Sequence, residues 1–342
     1  YKDKMINGMV QRGYQQDFAE RCYKQIEGFG SYGFPESHAQ AFAHLVYISS
    51  WLKCHHPAIF TAALLNSQPM GFYAPAQLVQ DARNHQVDVR AIDVNFSAWD
   101  NEIEVGALRL GLRQIGGFHK DWAVAIAAAR PFTSLEELAR KARLPARALH
   151  LLADADALRS LNLDRRAGGW EARRTPSDEL PLFAAADARA LAQEPEIALP
   201  VMPVSEHVAA DYQMTRMSLK GHPMEFLRDM FAAEGILTCA QTDAAKHGAR
   251  VKTAGVVLTR QRPGKGNAIF ITIEDETGVT NALLWSRLFE RQRRAVMASR
   301  LMVIEGEVQR SKEGVVHLMA THITDRSHEL ERLSHDHDVN IP

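Results

Sequence analysis

Past Arg250 the chain stops reading as helix and becomes a series of short apolar segments, and this stretch restricts the fold more than any other. Residues 251–260, 268–273, 279–285, 301–308 and 315–320 are rich in Val, Ile, Leu and Thr and predict five strands, with a helix over 287–297 between the third and fourth. Five strands with a helix after the third is the order of an OB-fold barrel, which holds oligonucleotides on the face of strands 2 and 3 and on the loops joining strands 1–2 and 4–5. On the second strand Ile269, Ile271 and Ile273 share one face, assigned to the core, so Phe270 and Thr272 point outward. Phe270 can stack on a base there, or pack against a neighbouring loop or domain. The first binding loop carries Arg260, Arg262 and Lys265 beside Gly264 and Gly266, and the second carries Arg310 and Lys312. DNA contact and simple solvation both account for these cations, as for Arg291, Arg293 and Arg294 on the helix.

Charge makes the same division. The whole chain of 342 residues has 40 Lys and Arg against 41 Asp and Glu, a net charge of -1, so there is no global basic field. Residues 251–326 alone hold twelve Lys and Arg against eight Asp and Glu, which points nucleic-acid binding to this part.

Upstream, residues 4–82 are helical in pattern, interrupted at Gly28-Phe29-Gly30-Ser31-Tyr32-Gly33-Phe34-Pro35, where glycines and a proline break the helix. Ser37 reads as the N-cap of the helix that follows. Residues 85–107 read as short strands with a polar hairpin near Asp100-Asn101, and short helices resume after them. Residues 164–205, rich in Ala, Pro and charge with little periodicity, read as a linker, and a short helix is expected over 224–234. The expected class is a multi-domain α+β chain. Its parts are a helical region over 1–105, a tandem helix-hairpin-helix over 106–170, a connector over 171–250, the barrel over 251–326 and a tail over 327–342. The polar, His- and Asp-rich end of that tail suggests disorder or a partner-binding segment.

Within 112–130, Ile115-Gly116-Gly117-Phe118-His119 leads into an Ala-rich helix, as in a helix-hairpin-helix whose glycine turn aims backbone amides at a phosphate. The usual pattern is Gly-apolar-Gly. Gly117 keeps the turn, while His119 stands at the second glycine position and brings a side chain to the phosphate instead. A degenerate second copy over 149–161 has Ala155-Asp156-Ala157 in its hairpin, where an acidic residue argues for a structural role.

Other chemistries find no support. Cys22, Cys54 and Cys239 are too few and too scattered for a disulfide framework or a Cys-rich zinc site. The histidines His55, His56, His335 and His337 lack ligand spacing and read as solvated or capping residues. Asp154, Asp156, Asp275 and Glu276 give no convergent pair for two-metal chemistry, so no catalytic residue is assigned. No run of about 18 apolar residues is present, and residues 1–8 lack a secretion pattern, so the expectation is cytoplasmic, with no membrane partner.

The residues of the helical part carry a specific resemblance: Phe29 to Ala39, then Trp51-Leu52-Lys53-Cys54-His55-His56-Pro57-Ala58, then Leu65-Asn66-Ser67-Gln68-Pro69-Met70-Gly71-Phe72-Tyr73. This closely resembles the fingers region of C-family bacterial DNA polymerases, the replicase alpha subunits. It takes the form of the error-prone branch used in damage-induced translesion synthesis, because Pro35-Glu36-Ser37-His38 stands where the replicative branch usually has Asn-Lys-Ser-His. The tandem hairpins, the connector motif Ser218-Leu219-Lys220-Gly221-His222-Pro223-Met224 and the barrel follow in that family's order, through about Asp325.

By this resemblance the metal-binding aspartates of the palm lie upstream of the fingers, so the chain looks like a carboxy-terminal fragment that does not polymerise alone. It would need no cofactor of its own, with Mg2+ expected in the intact polymerase. Ser37 and His38 would lie near the phosphates of the incoming nucleotide, although Glu36 is a like charge beside them, and helix capping is the other reading of Ser37. Where replicative relatives carry a sliding-clamp peptide, this chain has Glu179-Leu180-Pro181-Leu182-Phe183. Leu180, Leu182 and Phe183 keep the apolar anchors but Glu179 cannot donate as Gln would, so weak or no direct clamp binding is expected. Accessory translesion proteins and DNA, as primer–template and single-stranded template, are the implied partners. A non-catalytic single-strand-binding or scaffold module, and an RNA-binding OB domain of the tRNA-anticodon type, are the competing readings. The first leaves the Ser37-His38 context without a purpose, and the second accounts for the barrel but for none of the first 160 residues.

Overall fold

The computed structural model describes residues 1–32, 36–71, 73–175, 199–263 and 266–335, the side chains of 28–32, 36, 37 and 335 excepted. It divides into two compact units, Tyr1–Thr61 and Ala62–Pro342, so the expected boundaries at 105, 170 and 250 all fall inside the second.

The first unit is helical: α1 (Lys2–Val10), α2 (Gln16–Tyr32), α3 (Glu36–His55) and the start of α4 (Pro57–Asn66). Ile6 and Ala19 are its buried apolar side chains among the described residues. Because α3 begins at Glu36, Ser37 sits in its first turn rather than at the cap. Proline opens α4, where its missing N–H costs nothing and its fixed φ suits the helix.

The second unit opens with α5 (Pro75–Asn84), which buries Leu78, Val79 and Ala82 on one face. A small sheet follows in the order β1 (Val89–Arg90), β3 (Ala107–Arg109), β2 (Glu102–Glu104). Its hairpin turns at Val105-Gly106, both at positive φ, and not at Asp100-Asn101. Asn101 is instead buried, donating to Asn66 Oδ1 at 2.7 Å and accepting from the Gly111 amide at 3.0 Å. The hairpin helices are α6 (Lys120–Ala129), α7 (Leu135–Ala142), α8 (Ala146–Asp154) and α9 (Arg165–Arg174). One apolar core joins the small sheet to them, running through Ile92, Val94, Leu108, Leu112, Ile126, Leu138, Leu149 and Leu158.

The segment read as a linker from 164 is therefore helix up to Arg174, with Asp164 capping it through the Ala167 amide at 2.8 Å and Ala172 buried. Its composition hid it. Arg and Gly residues weaken the periodic signal, while Gly168 packs against Leu158 and Ala153. The connector holds α10 (Val204–Thr215), a 3-10 turn over Pro223–Leu227, α11 (Arg228–Ala233) and α12 (Cys239–Ala244).

The barrel has the expected order and is closed: β4 (Arg250–Gln261), β5 (Ala268–Asp275), β6 (Gly278–Trp285), β8 (Val316–Asp325) and β7 (Leu301–Arg310), with α13 (Ser286–Ala298) after the third strand. Ile269, Ile271, Ile273, Ala282, Leu284, Ile304, Val308 and Leu318 fill it. Two glycines let strands approach closely. A Cβ at Gly255 would stand 2.7 Å from the Glu274 carbonyl oxygen, and one at Gly306 would stand 2.5 Å from that of Met319. Part of the expected tail is structured: α14 (Glu329–His335) packs onto the connector through Leu333, which joins a core of Met224, Leu227, Phe231 and Leu301. Among the described residues no helix is long and apolar enough to cross a membrane.

Candidate nucleic-acid interface

The first hairpin turns as its glycines require. Gly117 has φ +76, a region that a residue with a Cβ enters at a cost of about 1–2 kcal/mol. Ile115 and Phe118 anchor the turn in the core, and Trp122 meets Phe118 edge-on at 5.3 Å. Gly116, Gly117, His119 and Lys120 are exposed. The Gly116 amide is already taken by the Met214 carbonyl at 2.8 Å, so the amides this turn leaves for an anion reduce to Gly117 and the first amides of α6, which have no partner within the helix. His119 precedes α6 and lies against Trp122, ring centres 4.3 Å apart.

A cation not evident from the spacing joins this turn: the Arg147 guanidinium comes within 3.6 Å of where a Gly117 side chain would begin. Arg147 belongs to the next hairpin, so only the tertiary packing brings it here. In that second hairpin Asp156 is buried at φ +57, accepting from Arg159 at 2.8 Å and pairing with Lys220 at 3.2 Å. Its role is structural, in agreement with the acidic turn.

Lys220 explains the connector motif. Its Nζ also donates to Asp211 at 2.8 Å, Ser218 Oγ donates to the same carboxylate at 2.8 Å, and Arg165 meets it at 2.5 Å. With both Arg165 and Asp211 buried, the cluster pins α9, α10 and the motif to the hairpins. Gly221 leaves room for Glu225, whose carboxylate accepts from the His222 amide at 3.0 Å while His222 Nδ1 accepts from the Met224 amide at 3.2 Å. Burial pushes His222 below the usual imidazole range. Asp275 and Glu276 are likewise structural. Arg228 donates to Glu276 at 2.6 and 2.8 Å and to Asp275 at 2.8 Å, clamping the connector onto the barrel. The cavity of about 640 Å³ beside them is lined by Glu225, Glu274, Asp275 and Glu276 as well as Arg83 and Lys220, and so is no anionic strand's path.

On the barrel the basic residues separate into two kinds. Strand β4 runs to Gln261, so Arg260 is not in the loop. It pairs with Ile271, on the inward side, and its Nε donates to the Val296 carbonyl at 2.5 Å and its Nη2 to that of Ser299, closing the end of α13. Arg310, the last residue of β7, donates to the Asp243 carbonyl at the end of α12. Both are carbonyl caps. Arg262 and Lys312 are exposed, Arg262 donating to the Gly266 carbonyl at 3.1 Å across the first loop. Lys265, with Gly264, lies outside the described residues, as do Leu180, Leu182, Phe183 and the side chain of Ser37. His38 is exposed, its ring 4.4 Å from that of Phe42.

Phe270 does point outward, half-buried, opposite Leu283. Its ring centre is 6.4 Å from that of His317. Trp285, also on this face, is 56% exposed. Sequence reasoning alone identifies neither His317 nor Trp285. Trp285 could have been found by extending the alternation from Phe270 through the β5–β6 register, whereas His317 needed the β8 crossover.

Among the described residues no three His, Cys, Asp or Glu side chains converge as metal ligands.

A helix-hairpin-helix unit and a closed OB barrel in one chain define a nucleic-acid-binding protein. Family models agree in both places, a helix-hairpin-helix motif over residues 86–168 and an OB-fold nucleic acid binding domain over 251–326. The relatives are more particular. Proteins named error-prone DNA polymerase match along almost the whole chain, that of Brucella abortus at 58% identity over 97% of this chain and 32% of its own, and that of Rhodopseudomonas palustris at 53% over 98% and 31%. The chain thus spans about a third of the length of these relatives, and the resemblance carried by the fingers and connector motifs holds throughout it. Among solved structures, asparaginyl-tRNA synthetase from Pyrococcus horikoshii matches 26% of this chain and 22% of its own at 24% identity, with a TM-score of 0.23, too slight a likeness to bear on function.

Proposed function

We propose that this chain is the DNA-handling part of an error-prone DNA polymerase, a cytoplasmic nucleotidyltransferase of translesion synthesis and damage-induced mutagenesis. The observation that carries this reading is the 58% identity to such polymerases along 97% of the chain, hairpins and barrel included. The first hairpin holds duplex phosphates with the Gly117 and α6 amides, His119 and Arg147, since amides at a helix start and nearby cations stabilise an anion. Arg262, Lys265 and Lys312 draw the single-stranded template across the barrel. Ser37 and His38 stand near the phosphates of the incoming nucleotide in the whole enzyme, where the palm carboxylates and Mg2+ supply the chemistry. Clamp binding through Leu180, Leu182 and Phe183 is weak or absent, and accessory translesion proteins supply that contact.

Fluorescence anisotropy with single-stranded DNA across a salt series tests the template half. Arg260 is left intact because it caps α13. The wild type is expected to weaken steeply with salt, and Arg262→Ala with Lys312→Ala to lower the log–log slope by about 2, close to one counterion for each phosphate that the variant leaves unneutralised. Absence of binding at any salt would favour a protein-docking scaffold instead.

A further inference from the structure

Helix α13 lies at the end of the barrel from which the β4–β5 loop projects, and the two are fastened together. Arg262 donates to the Gly266 carbonyl at 3.1 Å, and the neighbouring Asn267 carbonyl accepts from the Ser286 amide at 2.8 Å. One face of α13 belongs to the barrel. Leu288 and Val296 are buried in its core, and Gln292 ties the kinked middle of the helix to β8, with Nε2 donating to the Ile323 carbonyl at 3.0 Å and Oε1 accepting from the Ile323 amide at 3.1 Å. These contacts turn the opposite face to solvent. Arg287, Arg291 and Arg294, four and three residues apart, make a stripe along it, and Arg293 stands beside them, all four exposed.

The ordinary uses of a surface arginine do not account for this stripe. None of the four side chains has an ion pair or hydrogen bond among the described residues, whereas Arg228 and Arg326 in the same unit each hold two carboxylates. The field of the helix is no explanation either. Arg287 stands in the first turn, at the positive end of the helix dipole, where an acidic residue would be favoured and none is present. The last turn, where a cation is favoured, holds no basic residue, and the closing carbonyls of Val296 and Ser299 are already taken by Arg260. A face kept for solubility intersperses both signs, but α13 has four arginines against Glu290 alone. What remains is a row of free guanidinium groups beside a basic loop, complementary to a polyanion.

We propose that the outward face of α13 is a phosphate track, which carries a single strand onward from the β4–β5 loop and off the barrel's own strands, with Arg287, Arg291 and Arg294 each neutralising a phosphate. This rests on the nucleic-acid reading of the barrel given above. From Arg287 to Arg294 the helix rises about 10 Å, the run of about three nucleotides of one strand. Guanidinium forks suit phosphate oxygens and read no base, so the track adds length to the site and no sequence preference. A strand too short to leave the barrel gains nothing from it.

The test titrates the full chain with fluorescent single-stranded oligodeoxynucleotides of about 6 and about 16 nucleotides, the range occupied by one OB barrel. Arg287→Ala with Arg291→Ala and Arg294→Ala is expected to weaken the longer strand on the order of ten-fold and to lower its salt slope by about 2, at about 0.7 for each phosphate. The shorter strand should bind nearly as to wild type. Glu290→Gln should tighten the longer strand alone, a gain that misfolding cannot imitate. Arg262→Ala with Lys312→Ala should weaken both lengths. Wild-type affinity and slope of the triple variant on the longer strand overturn the track and leave the barrel contacts in place. Absence of binding of either strand by wild type overturns both. A triple variant that keeps its DNA affinity but loses a fluorescent poly-glutamate peptide would overturn the track in favour of an acidic protein partner.

Discussion

A guanidinium committed to carbonyl oxygens is not available to phosphate, and Arg260 shows the consequence. One residue decides its fate: ending β4 at Gln261 rather than before Arg260 places the side chain in the ladder, opposite Ile271, and turns it toward α13. Because side chains alternate along a strand, a shift of one position exchanges an inward side chain for an outward one. Composition alone could not locate that end. Burial lowers the Arg260 pKa, although the group remains charged, so its charge is used within the fold. Arg260→Ala is accordingly expected to lower stability in urea by about 1–3 kcal/mol, through the carbonyls left without a donor. Its single-strand affinity and salt slope should match wild type. A reduced slope with unchanged stability would show that Arg260 contacts DNA instead.

At the scale of elements, the barrel was legible because each strand buries one face and leaves the other to solvent, which writes a period of two into the sequence. Ile269, Ile271 and Ile273 are all buried as that pattern requires. The first hairpin was legible through its glycines. Helices α9 and α14 were not, because α9 is held by a buried Arg165–Asp211 pair and α14 by Leu333, long-range contacts that leave little local periodicity. The hairpin turn escaped because Asp100-Asn101 has turn composition, while Val105 takes φ +49 ahead of Gly106. Closure of the barrel also depends on contacts that no pattern announces. At Gly306 the β7–β8 register shifts, and an added Cβ would meet Met319 backbone, which cannot swing aside as a side chain could. Gly306→Ala should therefore destabilise the barrel by about 1–3 kcal/mol, seen as a lower melting temperature. An unchanged melting temperature would mean that the strands separate there at no cost.

Across the second unit, charge clusters join what the sequence divides. Lys220 ties the second hairpin to α10 through Asp156 and Asp211, and Arg228 ties the connector to the barrel through Asp275 and Glu276. The connector motif was visible as a motif, but its use was not, since its partners lie far away in the chain. The surfaces proposed to face duplex and single strand are thus parts of one folded unit, and on that proposal a substrate with both kinds of DNA engages both. The most direct measurement is a comparison of three DNAs of one length, a recessed primer–template, a blunt duplex and a single strand, titrated by anisotropy at one near-physiological salt concentration. The recessed primer–template is expected to bind more tightly than either of the others. Equal affinity for all three, or no binding to any, would contradict it.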